Sequence, residues 1–180
     1  MRATVPILSA LLLAACAPPS PPPTLPTSLT PQAGLRSTSI TVGDNALAFF
    51  ANPRAGQPAS AARAFADLEW LADTLPTNPM WISGANTDAI LQLQQARNEA
   101  RQALGISARA SNQTVVSGLA AVAGALTRND QAAVSRALPR NLFTLGPQAT
   151  VERLAQPPSV QLAQPALDQV AQGPTLGPAR

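Results

Sequence analysis

The stretch NQTVVSGLAAVAGALT, residues 112–127, is apolar or small on every side of a helical projection. Its larger apolar residues recur at three- and four-residue spacing, with alanine, glycine and serine between them. This pattern is typical of a helix that is buried on most of its faces. The stretch is too short to span a bilayer, which takes about 20 apolar residues. We therefore predict that residues 112–127 form the central helix of the body.

The rest of the body also has helical periodicity and helix-capping residues. Strand signals are nearly absent, because no alternation of β-branched residues lasts four positions. Residues 32–43 have no clear pattern, and Asp44 is predicted to cap a short helix that ends at Phe50. The further predicted helices are 58–75, 87–104 with Thr87 as its cap, a short one that Asn129 or Asp130 caps and that ends at Leu138, 150–155, and a last turn or two at 166–171. The predicted fold class is all-α, a small irregular bundle of four to six helices behind a Pro-rich tether.

The chain opens with a basic residue, Arg2, and an apolar run from Val5 to Leu13. These features are typical of a secretory signal and not of a membrane span. The run ends in Leu13-Ala14-Ala15-Cys16, which resembles the lipobox of bacterial lipoproteins. The resemblance covers only these opening residues. It implies cleavage between Ala15 and Cys16, and acylation of Cys16.

The same resemblance implies a location and a first partner. The acylated Cys16 would anchor the chain to membrane lipid in the bacterial cell envelope. Ala17 after the cysteine is similar to the pattern of outer-membrane lipoproteins, so we expect the protein at the outer membrane, facing the periplasm. The alternative is ordinary cleavage after Ala17, which would discard the cysteine and give a soluble periplasmic protein. Pro18 just after that cut disfavours the alternative.

Proline composition predicts how the anchor connects to the body. Seven prolines lie between residues 17 and 31, and such a segment prefers an extended, semi-rigid polyproline II conformation. We divide the chain into a signal peptide at 1–15, a lipidated cysteine and tether at 16–43, a helical domain at 44–156, and a short C-terminal helix with a disordered tail at 157–180.

The absence of certain residue types restricts the chemistry. The chain has no His, Lys or Tyr, and Cys16 is its one cysteine. Serine or cysteine nucleophiles paired with His or Lys are therefore excluded, as are imidazole and thiolate metal sites. We predict no catalytic residue, no metal and no cofactor. After loss of Arg2 with the signal, 11 arginines face 9 acids, and with no basic run among aromatics we expect no nucleic-acid partner.

Two groups of residues are candidates for binding. Trp70 lies off the apolar stripe of its helix, so it must either cover another element or be exposed. Met80, Trp81 and Ile82 form an apolar triplet in a loop marked by proline and glycine. Together with Trp70 they are the predicted partner surface.

Arg97 and Arg101 lie one helical turn apart beside an apolar stripe. Their stems can pack while their guanidinium groups reach outward. They are the predicted contact for an anion or a carboxylate.

Two functions remain open at this point. The leading one is a non-catalytic envelope lipoprotein that binds or scaffolds an envelope protein or a cell-wall component. The alternative is a carboxylate-dependent hydrolase of cell-wall glycan, with acids drawn from Glu69, Asp73, Asp88 and Glu99, which would need two carboxyl groups about 5–10 Å apart in a cleft. Glu69 and Asp73 lie one turn apart on a face that we expect to be solvated.

Overall fold

The computed structural model of this chain describes residues 21–32, 34 and 36–175. Its described residues form seven α-helices and two 3₁₀ turns, with an isolated bridge between Ile106 and Phe143 in place of any strand. The all-α class is confirmed. The helices are α1 Thr38–Phe50, α2 Pro58–Thr74, α3 Thr87–Ala103, α4 Asn112–Thr127, α5 Gln131–Ala137, α6 Pro147–Ala155 and α7 Ala163–Gln172, and the 3₁₀ turns are Leu75–Thr77 and Gly84–Asn86.

The central helix is α2, and the prediction that α4 takes this place is wrong. Eleven of the 17 residues of α2 are buried, and it packs against α1, α3, α4 and α6. α4 packs mainly against α2 and α5. Small side chains explain the position of α2, because they let neighbouring helices approach from several sides. They are Ala61, Ala62, Ala64, Ala66 and Ala72.

α1 begins six residues before the predicted start at Asp44. Ser37 is its N-cap, and the side-chain oxygen of Ser37 accepts a hydrogen bond from the backbone N–H of Ile40. Asp44 therefore lies within the helix, where it forms an ion pair with Arg36. The β-branched run at the start of α1 hides its helical character, since Thr, Ile and Val have lower helix propensity.

α7 extends the packed body beyond the predicted boundary at residue 156. Ala163, Ala166, Leu167 and Val170 are fully buried, and α7 packs against α1 and α3. Pro157 and Pro158 end α6 without ending the domain. The range 157–180, predicted as a short C-terminal helix with a disordered tail, is therefore part of the bundle through residue 172.

The Pro-rich segment also contacts the body, whereas the sequence predicts a free spacer. Pro23 and Leu29 are buried. The carbonyl oxygen of Pro23 accepts a 2.9 Å hydrogen bond from the indole Nε1 of Trp70, and Thr24 bonds to the Gln113 side chain of α4. The described end of the predicted tether is thus part of the folded body.

The remaining helix ends differ in how they are capped. Asp130, one of the two predicted candidates, caps α5 by accepting a hydrogen bond from the backbone N–H of Ala133. Gly105 after α3 has a φ of 63°, which suits glycine at this position. Asn86, and not Thr87, is the N-cap of α3. α6 begins at Pro147, three residues before the predicted start, since Pro is favourable in the first helical turn.

Candidate functional site

Two buried carboxylic acids lie on the central helix. Asp67 is 1% exposed and Glu69 is 3% exposed. An α-helix turns by about 100° per residue, so two residues separated by two positions point to nearly opposite sides. Each acid therefore has a different environment, and the two environments differ in how many hydrogen-bond donors they offer to the carboxyl group.

Glu69 is satisfied by Arg101 of α3. The Nε of Arg101 lies 3.1 and 3.0 Å from the two carboxylate oxygens, and its Nη2 also donates to Oε1. Burial raises the pKa of Glu69, and the adjacent guanidinium opposes that rise. The prediction that Glu69 lies on a solvated face is wrong, because a residue 32 positions away supplies its partner.

The same cluster extends to α4. Arg101 donates to the carbonyl oxygen of Ala110 at 3.1 Å and to Oδ1 of Asn112 at 2.7 Å. Asn112 donates in turn to Asp73, and Nη1 of Arg97 lies 3.7 Å from the Asp73 carboxylate. The cluster therefore joins α2, α3 and the start of α4.

The predicted anion contact at Arg97 and Arg101 is thus occupied by carboxylates of the chain itself. Most of the hydrogen-bonding capacity of Arg101 is directed inward. A groove of about 590 Å³ does lie beside the two arginines, but Asp73 also lines it. This arrangement holds three helices together and has little positive charge left for an external anion.

The predicted partner surface is divided by the structure. Trp70 and Trp81 are buried in the core, so neither is available to a partner. Met80 and Ile82 are 53% and 60% exposed. Of the loop triplet, Trp81 folds back into the core, and an exposed pair, Met80 and Ile82, remains.

The four acids proposed for the hydrolase lie in three different surroundings. Asp88 is exposed, and Glu99 accepts a 3.0 Å hydrogen bond from the backbone N–H of Gln161. Glu69 and Asp73 belong to the cluster with Arg101. Within the described residues, no group of three or more His, Cys, Asp or Glu side chains could hold a metal ion.

Asp67 faces the other side of α2, where a pocket of about 370 Å³ separates α2 from α1. Its Oδ1 is buried and has no hydrogen-bond partner among the described residues. Burial raises the pKa of Asp67 to about 7, and the charge of Arg63 lowers it only in part. The pocket is lined by Asn45, Ala48, Phe49, Asn52, Arg54, Gln57, Ser60, Arg63, Ala64 and Asp67.

Sequence reasoning missed this site. The one local signal is the i, i+4 spacing of Arg63 and Asp67, which places both on the same side of α2. The opposite wall comes from α1 and the residues after it, and α1 was predicted too short. A buried carboxyl group in a pocket with a strongly shifted pKa is a candidate binding or catalytic group.

The lipidation and cleavage residues, Cys16 and Ala15, lie outside the described residues. No helix in the part of the chain that the structure describes is long and apolar enough to cross a membrane. No protein-family model matches the chain, and comparisons with curated proteins and with solved structures give no significant match. Any function must therefore be inferred from the residues of this chain.

Proposed function

We propose that the chain is a lipid-anchored protein of the bacterial envelope whose helical body acts as a non-catalytic binding or scaffolding module. The observation that carries this proposal is the motif Leu13-Ala14-Ala15-Cys16 at the end of a short apolar run. Acylation with two or more chains gives stable anchoring, because each buried CH₂ contributes about 0.8 kcal/mol. The body therefore needs no membrane-binding surface of its own.

The position of Pro23 supports a short distance between anchor and body. Pro23, whose carbonyl is hydrogen-bonded to Trp70, lies seven positions after Cys16 in the sequence. An extended chain spans at most about 3.3–3.6 Å per residue, so the segment between Cys16 and Pro23 is at most about 25 Å long. The side of the body that carries Pro23 and Gln113 would then lie close to the membrane surface, at the outer membrane facing the periplasm.

The non-catalytic role is supported by composition and by geometry. The chain lacks His, Lys and Tyr. Both oxygens of Glu69 accept hydrogen bonds from Arg101, which removes it from the acids available for glycan hydrolysis. In the Asp67 pocket, Asp67 is the one acid of the lining, whereas glycoside hydrolysis ordinarily uses two carboxyl groups.

A partner in the envelope, either a protein or a cell-wall component, has two candidate places to bind. The exposed pair Met80 and Ile82 is an apolar surface, and the Asp67 pocket is a polar one. The pocket volume of about 370 Å³ falls in the usual range for small-ligand sites, about 300–1,000 Å³.

Metabolic labelling with a palmitate analogue tests the anchor. Wild type should be labelled and should fractionate with membranes, while Cys16→Ser should be unlabelled. Absence of label on the wild type, with a mature N-terminus at Pro18, would overturn the anchor and leave a soluble periplasmic protein. Cross-linking in membrane fractions of the labelled protein then tests for an envelope partner.

A further inference from the structure

Asp67 is a buried acid whose Oδ1 has no hydrogen-bond partner in the part of the chain that the structure describes. It lies on α2 one turn after Arg63 and is buried at the base of the pocket between α1 and α2. Buried polar atoms in proteins nearly always have a hydrogen-bond partner. Glu69, two residues away, shows that this helix can satisfy a buried acid completely. Oδ1 of Asp67 is a buried acceptor with no donor among the described residues, and Asp67 is one of the residues that line this ligand-sized pocket.

Two guanidinium groups line the same pocket. Arg54 is exposed, in the segment after α1, and Arg63 is half-buried on α2. Among the described residues, neither arginine lies within 4 Å of the Asp67 carboxylate. Arg63 makes one long hydrogen bond, 3.5 Å, to the carbonyl oxygen of Leu29. The negative group is thus deep in the pocket, and the positive groups are nearer to solvent.

The other walls of the pocket are neutral. α1 contributes the amide of Asn45 and the ring of Phe49, and the segment after it contributes the amides of Asn52 and Gln57. A ligand with one positive charge would be repelled by the arginines, and a ligand with one negative charge would be repelled by the Asp67 carboxylate. A molecule that carries both charges a few ångströms apart can satisfy both ends.

We propose that this pocket binds a small zwitterion of the α-amino acid class. Its ammonium group donates to Asp67, and its carboxylate accepts from Arg63 and Arg54. The ligand side chain lies against Phe49 and the neighbouring alanines. This proposal deepens the proposed binding role of the module and does not depend on the lipid anchor.

Binding of an ammonium group at Asp67 is coupled to a proton. The charged groups that line the pocket are Arg63 from α2 and Arg54 from the segment after α1, and the residues of α1 that line it are neutral. Because burial raises the pKa of Asp67 to about 7, the carboxyl group is mostly protonated at pH 6. An ammonium ligand requires the carboxylate, so binding releases close to one proton at pH 6 and about a tenth of a proton at pH 8.

Calorimetry on the full-length protein in a polyoxyethylene detergent, which carries no sugar, tests the proposal. The probes are L- and D-alanine and L- and D-leucine, titrated in buffers of different ionisation enthalpy at both pH values. We expect saturable binding to the wild type with the proton release given above. Asp67→Asn should bind at least tenfold more weakly with no proton release, and Arg63→Gln should also lose about tenfold.

Asp88→Asn is the matched control, since it makes the same change at an exposed carboxylate of α3. Its affinity and proton release should equal those of the wild type. Propionate and ethylamine carry one charge each, and glucose carries none. The proposal is overturned if none of the amino acids binds at millimolar concentration, if Asp67→Asn binds as tightly as wild type, or if a single-charge probe or glucose binds as tightly as alanine.

Failure of the pocket and failure of the anchor remain distinguishable. The calorimetry measures only ligand binding in the pocket, and the palmitate label measures only acylation of Cys16. If the protein is unlabelled but binds alanine, the pocket proposal stands and the anchor proposal is wrong. If the protein is labelled but binds no probe, the anchor proposal stands and the pocket proposal is wrong.

Discussion

The indole Nε1 of Trp70 donates a 2.9 Å hydrogen bond to the carbonyl oxygen of Pro23. It joins the central helix to a Pro-rich segment 47 residues earlier in the chain. The ring of Trp70 is thereby covered by a segment that composition alone would leave free. If Cys16 carries the lipid anchor, this hydrogen bond marks the point at which the segment after the anchor joins the folded body.

Trp70→Phe should loosen this junction. The phenyl ring keeps most of the packing but lacks the donor, and it leaves the buried carbonyl of Pro23 unpaired. We expect a loss of about 1–2 kcal/mol of unfolding free energy, the usual effect of removing one buried hydrogen bond. Urea denaturation measures the loss, and limited proteolysis should show faster cleavage between residues 21 and 30. An unchanged cleavage pattern would mean that the other contacts of the segment, Leu29 in the core and Thr24 on Gln113, hold it without this bond.

The Glu69–Arg101 pair should behave as a buried ion pair. Glu69→Gln leaves the guanidinium without its counter-charge, and Arg101→Leu leaves the carboxylate alone. Each change should lower stability by about 3–5 kcal/mol, because an uncompensated buried charge is strongly unfavourable. The double variant Glu69→Leu/Arg101→Leu should lose much less than the sum of the two single losses.

A double-mutant cycle in urea measures the coupling between these two residues. Glu152→Gln is the matched control, since Glu152 is exposed and its contact is with Gln148 on the same helix. Its effect should be within about 0.5 kcal/mol of zero. Additive losses in the cycle would show that the two side chains act separately.

Asp67 should make the protein less stable as the pH rises. Its pKa is about 7 in the folded state, against about 3.9 in an unfolded chain. Between these values the folded state binds more protons, so the unfolding free energy falls as pH rises from about 4 to 7 and then levels off. The loss at pH 8 relative to pH 4 should be of the order of 3–4 kcal/mol from this one group.

Asp67→Asn isolates that contribution, because the amide does not titrate in this range. The difference in unfolding free energy between Asp67→Asn and wild type should grow from pH 4 to pH 7 in favour of the variant, and stay constant above. Other titrating groups cancel in this comparison. A difference that does not change with pH would show that the carboxyl group titrates normally in the folded protein.

The sequence predicts the helices whose stabilising features are local. α2, α3, α4 and α5 have apolar residues at helical spacing, and Pro58 and Asp130 mark two of their starts. α1 is different, because the cap at Ser37 precedes a β-branched run that looks irregular. The body also extends further along the chain than predicted at both ends, since the contacts of Leu29 and Val170 depend on tertiary packing.

The candidate site could not be predicted, for a related reason. An acid between apolar residues is ordinarily assigned to the surface, since charged residues are rarely buried unless paired. The partner of Glu69 is 32 positions away on another helix. The pocket at Asp67 exists because α1 lies alongside α2, and nothing in the order of the residues specifies that pairing.

Gly43 should be required for the contact between α1 and α7. A Cβ atom at this position would lie 2.6 Å from Cγ1 of Val170 in α7. Gly43→Ala should therefore lower stability by about 1–3 kcal/mol, as overpacking does, although alanine is the better helix former. Gly124→Ala is the matched control, because the added Cβ meets only the flexible end of Arg128 at 3.2 Å, and it should leave stability unchanged or raise it by up to about 1 kcal/mol. Val170→Ala in the Gly43→Ala background should recover part of the loss. Urea denaturation of the wild type, the two single variants and the double variant measures these differences. Equal stability of Gly43→Ala and wild type would show that α7 does not pack closely on α1.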